Sequence, residues 1–176
     1  MNGCRLEVAP GAALLYPLLY FLDDSGVLAA VVPAVVIHEL GHAAAAVLCG
    51  VRVRTVRLEL PGLCMETDGF PDECRELFCL IAGPAAGLLW AVIAWGLGGG
   101  QITRTALAAL VVNGFNLIPA LPLDGGRILR LLTGSEKAAY GSTVLCAAAF
   151  LTLAAGWRLW PCLLPVFLFA RELITA

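Results

Sequence analysis

Only two histidines occur in this chain of 176 residues, and they stand four positions apart in His38-Glu39-Leu40-Gly41-His42. On a helix, positions i and i+4 lie one above the other on the same face, so both imidazoles can reach a single ion. Zinc favours such nitrogen ligands, and a hydrolytic site needs three protein ligands with one position left open for water. An ion held there brings the pKa of water down to about 7. Glu39, next to the first histidine, can take the proton. The plainer reading is that these polar side chains tie helices together. Three features stand against it. The chain has no other histidine. The motif lies midway along an apolar stretch from about Gly26 to Gly50, where a carboxylate and two imidazoles are costly without partners or a cavity. A third ligand is also available.

That third candidate is Asp124. Nearly all other acidic residues fall in loops, at termini or in a charged strand-like region. Asp124 instead follows a long apolar span, within Pro119-Ala120-Leu121-Pro122-Leu123-Asp124-Gly125-Gly126. Successive prolines cannot continue a regular helix, so an irregular or extended segment is expected. Gly125 would let the chain turn so that the carboxylate points inward. The competing reading is a helix N-cap, because Asp before Gly-Gly-Arg-Ile-Leu would cap the next helix well. Taken by itself, the residue reads better as a cap.

The elements that must position these residues are apolar. Hydrophobic residues make up 60% of the chain and charged residues 14%, against roughly 45–50% and about 25% in ordinary globular domains. A bilayer is the natural solvent for such a composition. Apolar spans are read at Val8 to Leu22, Gly26 to Gly50, Leu77 to Leu97, Thr105 to Ile118, Ala138 to Gly156 and Leu159 to Ala170. The first, preceded by Arg5, resembles a signal peptide. It is followed by Asp23-Asp24-Ser25 rather than a small-x-small cleavage site, so a retained helix is expected. Between the second and third spans, Val51-Arg52-Val53-Arg54 and Val56-Arg57-Leu58-Glu59-Leu60 alternate with the period of a strand. Pro61-Gly62 is a turn signal, and Leu63 to Asp68 can return as a second strand. Asp72 to Glu76 opens the third helix, and Gly98-Gly99-Gly100 ends it. The expected fold is an all-α polytopic membrane protein with about six transmembrane helices. A small membrane-associated β-hairpin lies between the second and third, and residues 1–176 form one domain.

With the N-terminus in the cytoplasm, all basic residues except Arg104 and Arg158 fall in inside segments, as the positive-inside rule requires of six spans with both ends cytoplasmic. That topology puts the histidines and Asp124 toward the cytoplasmic side, so the site is expected to open there. Net charge is −2 with no basic stripe, which gives no reason to propose nucleic-acid binding. Seven scattered cysteines, never spaced as CxxC, make neither a disulfide framework nor a thiolate zinc site.

The pair formed by His38-Glu39-Leu40-Gly41-His42 and, some eighty residues later, Asn116-Leu117-Ile118-Pro119-Ala120-Leu121-Pro122-Leu123-Asp124-Gly125-Gly126 resembles the site-2 protease family of intramembrane zinc metalloproteases. The likeness is strongest to its sporulation-type bacterial members, which process membrane-tethered transcription-factor precursors. The resemblance implies one Zn2+ per chain on His38, His42 and Asp124, with Glu39 as the catalytic glutamate. Asn116, with Pro119 and Pro122 of the same motif, would contact substrate. It also implies a membrane-protein substrate and a bacterial cell-membrane location. Gly83-Pro84 resembles a further family feature, although Gly83 and Gly87 also form a GxxxG pair for close helix packing, the favoured reading. The chain departs from larger members by lacking a PDZ insertion and a C-terminal nucleotide-sensing (CBS) tail. Two rivals remain: a catalytically silent scaffold, which would not need Glu39, and a metal transporter, which would spread polar residues along a path.

Overall fold

In the computed structural model, the described residues are 5–59, 62–157 and 163–175. The chain forms two compact units, 1–113 and 114–176. The first unit contains β1 (Arg5–Val8), α1 (Pro10–Leu22), α2 (Val27–Leu48), β2 (Val53–Glu59), β3 (Gly62–Thr67) and α3 (Glu73–Leu97). It also contains α4 (Gly100–Asn116) up to Asn113. The second contains α5 (Asp124–Thr133), α6 (Glu136–Trp157) and α7 (Leu163–Thr175).

Helix boundaries follow local chemistry. Pro10 starts α1, where a missing N–H costs nothing. The Asp72 carboxylate accepts from the Arg75 amide at 2.8 Å and caps α3, and Glu73 and Glu76 add negative charge to its first turn. Gly98, at φ 68°, ends that helix in a backbone conformation few other residues adopt.

Small residues pack the first unit. Ala34, Ala91 and Ala109, from α2, α3 and α4, form one buried cluster. Gly41 of α2 lies so close to Ala82, Gly83 and Ala86 of α3 that a Cβ would collide. Small residues let helix backbones approach, the usual means of association where lipid removes the hydrophobic drive. Large apolar side chains instead point outward, among them Phe21, Leu89, Val92, Trp95 and Leu145.

The sheet differs from the expected hairpin. β2 and β3 pair antiparallel, with Val56 opposite Met65, but β1 joins β2 in parallel to give the order β1-β2-β3. Arg57 on the central strand bridges both neighbours, reaching Glu7 at 2.9 Å and Glu66 at 3.2 Å. The segment expected to start the first apolar span thus begins with a strand. The turn residue Pro61 lies outside the described residues, as do Cys4, Arg158, Cys162 and the start of the last apolar span.

The helix count also differs. A seventh helix, α5, occupies the basic piece after Asp124. Three described helices rather than six, α2, α3 and α6, are long and apolar enough to cross a membrane. At about 1.5 Å per residue, the 13, 17 and 13 residues of α1, α4 and α7 fall short of the roughly 30 Å hydrocarbon core.

Candidate metal centre

His38 and His42 sit on one face of α2, 4% and 8% exposed. Their i, i+4 spacing brings the two Nε2 atoms to 3.1 Å. The other nitrogen of each ring is held from elsewhere in the first unit. His38 Nδ1 lies 2.8 Å from Asn113 Oδ1, and His42 Nδ1 lies 2.8 Å from the Cys79 carbonyl oxygen. Asn113 Nδ2 donates to the Ala109 carbonyl at 2.7 Å, so its oxygen is the end that faces the imidazole. Both partners accept and neither can donate, so in the neutral rings each Nδ1 carries the proton and each Nε2 a lone pair.

Two such lone pairs, 3.1 Å apart on one helix face, can converge on a single cation. The donor set therefore fits a metal ion, and the outer hydrogen bonds are of the kind that orient metal-bound imidazoles. Glu39, one residue from His38 on the same helix, is half-buried.

Asn113 is fully buried, and reading the chain for motifs passed over it. The available signal was its place within the apolar span Thr105 to Ile118, where a carboxamide needs a partner. The Gly83–Gly87 pair, read as helix packing, turns out to pack on these same side chains. A Cβ at Gly83 would land on the His42 imidazole, and one at Gly87 on the Asn113 carboxamide.

In the second unit, the segment between α4 and α5 is irregular, as its prolines require. Asp124, 9% exposed, is the first residue of α5. It is not the N-cap, a position held by Leu123 without any side-chain bond. The helix dipole favours a carboxylate in that first turn. Gly125 does not turn the chain through a left-handed conformation, since positive φ occurs only at other glycines. Its hydrogen side chain instead admits the Leu117 and Ile118 carbonyls, and Gly126 admits the backbone at Ala120.

Helix α6 holds the irregular segment in place. Thr143 Oγ1 accepts from the Leu121 amide at 2.9 Å while donating to the Ala139 carbonyl at 2.8 Å. Ser142 donates to the Pro119 carbonyl. Ala120 and Leu123 pack with the fully buried Phe169. Asn116, the last residue of α4, is half-buried, and Pro119 and Pro122 are exposed. The structure thus brings His38 and His42 together on one helix, and carries Asn116, Pro119, Pro122 and Asp124 on one stretch of the second unit.

The Peptidase M50B-like family model matches residues 12–121. A zinc metalloprotease of Methanocaldococcus jannaschii is 35% identical over 123 residues, covering 65% of this chain and 36% of its own length. Stage IV sporulation protein FB of Bacillus subtilis is 32% identical over 140 residues, covering 69% of this chain and 48% of its own. The chain thus spans about a third to a half of the length of these relatives. Among solved structures, the site-2 protease from Methanocaldococcus jannaschii superposes with a TM-score of 0.72 at 26% identity. That match covers 98% of this chain and 92% of the other.

Proposed function

Since the chain belongs to the Peptidase M50B-like family, we propose that it is an intramembrane zinc metalloendopeptidase. It hydrolyses a peptide bond within or near a transmembrane segment of a membrane-tethered protein. The observation that carries this reading is the pair of buried imidazoles whose Nε2 atoms face each other at 3.1 Å while each Nδ1 faces an acceptor. The chain is an integral membrane protein, a reading that its family and the three long apolar helices among the described residues support.

His38, His42 and Asp124 would hold one Zn2+ per chain. When bound, the ion polarises the scissile carbonyl and makes water acidic enough to ionise near neutral pH. Glu39 takes the proton of the attacking water and delivers it to the leaving amine. The Asn116 amide, with Pro119 and Pro122 of the same irregular segment, contacts the substrate near the scissile bond. A helical substrate shields its own peptide bonds, so the cleaved stretch must open first. β3, an edge of the three-stranded sheet, is a surface on which it can be held.

Residues 1–176 act as a single membrane-embedded domain with both termini cytoplasmic and the site open to that side. The distribution of basic residues supports this orientation. Resemblance to sporulation-type members favours membrane-tethered transcription-factor precursors in a bacterial cell membrane as substrates.

The test is release of soluble product from a co-expressed precursor. Glu39→Gln should lower the rate by about 100-fold or more while zinc content stays at the wild-type level. Cleavage at the wild-type rate would overturn the mechanism. Asp124→Ala should lose both cleavage and zinc.

A further inference from the structure

We propose that Asn113 is a positioning residue that selects the tautomer of His38, and that Gly87 is a glycine in order to admit it. The inference rests on His38 being a metal ligand, as read above, but its central claim concerns the metal-free protein. An imidazole binds metal only through a nitrogen that carries a lone pair, and a neutral ring can place its single proton on either nitrogen. The Asn113 carboxamide removes that choice. Its Nδ2 is committed to the Ala109 carbonyl at 2.7 Å, so its oxygen faces His38 Nδ1 at 2.8 Å and cannot exchange places with the amide nitrogen without losing both bonds.

The amide can sit there only because α3 leaves room. A Cβ at Gly87 would overlap the Nδ2, Cγ and Oδ1 atoms of Asn113. One turn earlier, Gly83 leaves the corresponding room for His42, whose Nδ1 proton goes to the backbone at Cys79. The two ligands are therefore set differently. The partner of His42 is a main-chain carbonyl that no substitution removes, whereas that of His38 is a single replaceable side chain.

The chain's two histidines make the test direct. Protein labelled with 15N-histidine is examined metal-free in detergent micelles, at a pH where both rings are neutral. In the wild type both rings should carry the proton on Nδ1. In Asn113→Leu, His38 alone should redistribute toward the Nε2–H form, with His42 as the internal control. Asn113→Asp, which keeps an acceptor, should retain the wild-type pattern. Gly87→Ala should reproduce the change seen in Asn113→Leu.

Zinc affinity, measured by chelator competition, should fall about 10–100-fold in Asn113→Leu and stay near wild type in Asn113→Asp. A wild-type His38 protonated on Nε2, or a tautomer unmoved by Asn113→Leu, would overturn the proposal. If Asn113→Leu does not fold, the wild-type spectrum and Asn113→Asp decide. If the tautomer pattern holds but the wild type binds no zinc, the metalloprotease reading fails and the role of Asn113 in tautomer selection stands.

Discussion

The histidine region of the first unit and the Asp124 region of the second are both buried, polar and glycine-lined, yet they are built in opposite ways. On α2 the backbone is regular helix, and orientation comes from hydrogen bonds to the far nitrogen of each ring. Around Asp124 the backbone itself is the device. Prolines break the helix, Gly125 and Gly126 let carbonyls approach, and the Thr143 hydroxyl anchors the Leu121 amide. A change in the first region should therefore act on ring orientation and lone pairs, and a change in the second on the path of the chain.

The largest expected effect follows from Gly83. A methyl group there falls on the His42 imidazole, so Gly83→Ala should weaken zinc binding by about 100-fold, the upper end of what lost outer partners cost. Overpacking should also destabilise the solubilised protein by about 1–3 kcal/mol. Chelator competition and thermal unfolding in micelles measure the two effects. Unchanged zinc affinity would mean that the glycine serves helix packing alone.

Thr143→Val tests the other side of the comparison. It keeps the shape of the side chain but strands the buried Leu121 amide, a loss of about 1–3 kcal/mol. Thermal stability should fall while the imidazole 15N signals keep their wild-type pattern. A tautomer change in this variant would erase the distinction between the two regions.

Smaller effects are expected outside both regions. Arg57→Met removes two partly exposed cross-strand ion pairs and should cost no more than about 1 kcal/mol, as unfolding in micelles would show. Asp23 defines the lower limit. The Ser25 hydroxyl, and then the Leu28 amide, hold its carboxyl below the ordinary 3.8. A depressed folded-state pKa means that the contribution is present at neutral pH, above the unfolded value. It is lost as acid takes the pH down through the folded value. Ser25→Ala should move the Asp23 titration upward, followed by NMR, with little change in stability, because the Ser25–Asp23 hydrogen bond lies at the surface.

Much of this was legible in the residues, for reasons of range. The strand alternation around Val53–Glu59, the Asp72 cap and the proline-broken segment before Asp124 are local patterns, and each appears where its residues stand. β1 was not legible. Four residues, Arg5–Val8, become a strand only because β2, some fifty positions away, offers an edge. Read locally, they look like the charged start of an apolar helix. Taken without its motif, Asp124 read better as a cap because Asp before a helix usually is one, yet the helix begins one residue earlier than that reading requires. Six apolar runs were read as membrane spans, but composition alone did not separate the 22 residues of α2 from the 13 of α1, which are too few to cross.

The sequence by itself determined that two imidazoles share one face of a helix with a carboxylate beside them. The i, i+4 relation is a property of the helix and needs no other part of the chain. Which nitrogen of each ring faces a proton acceptor was decided only by the tertiary structure, because the two acceptors come from 37 and 75 positions away. Spacing on a helix brings rings together. Only a partner on another helix sets which nitrogen of a neutral ring holds the proton.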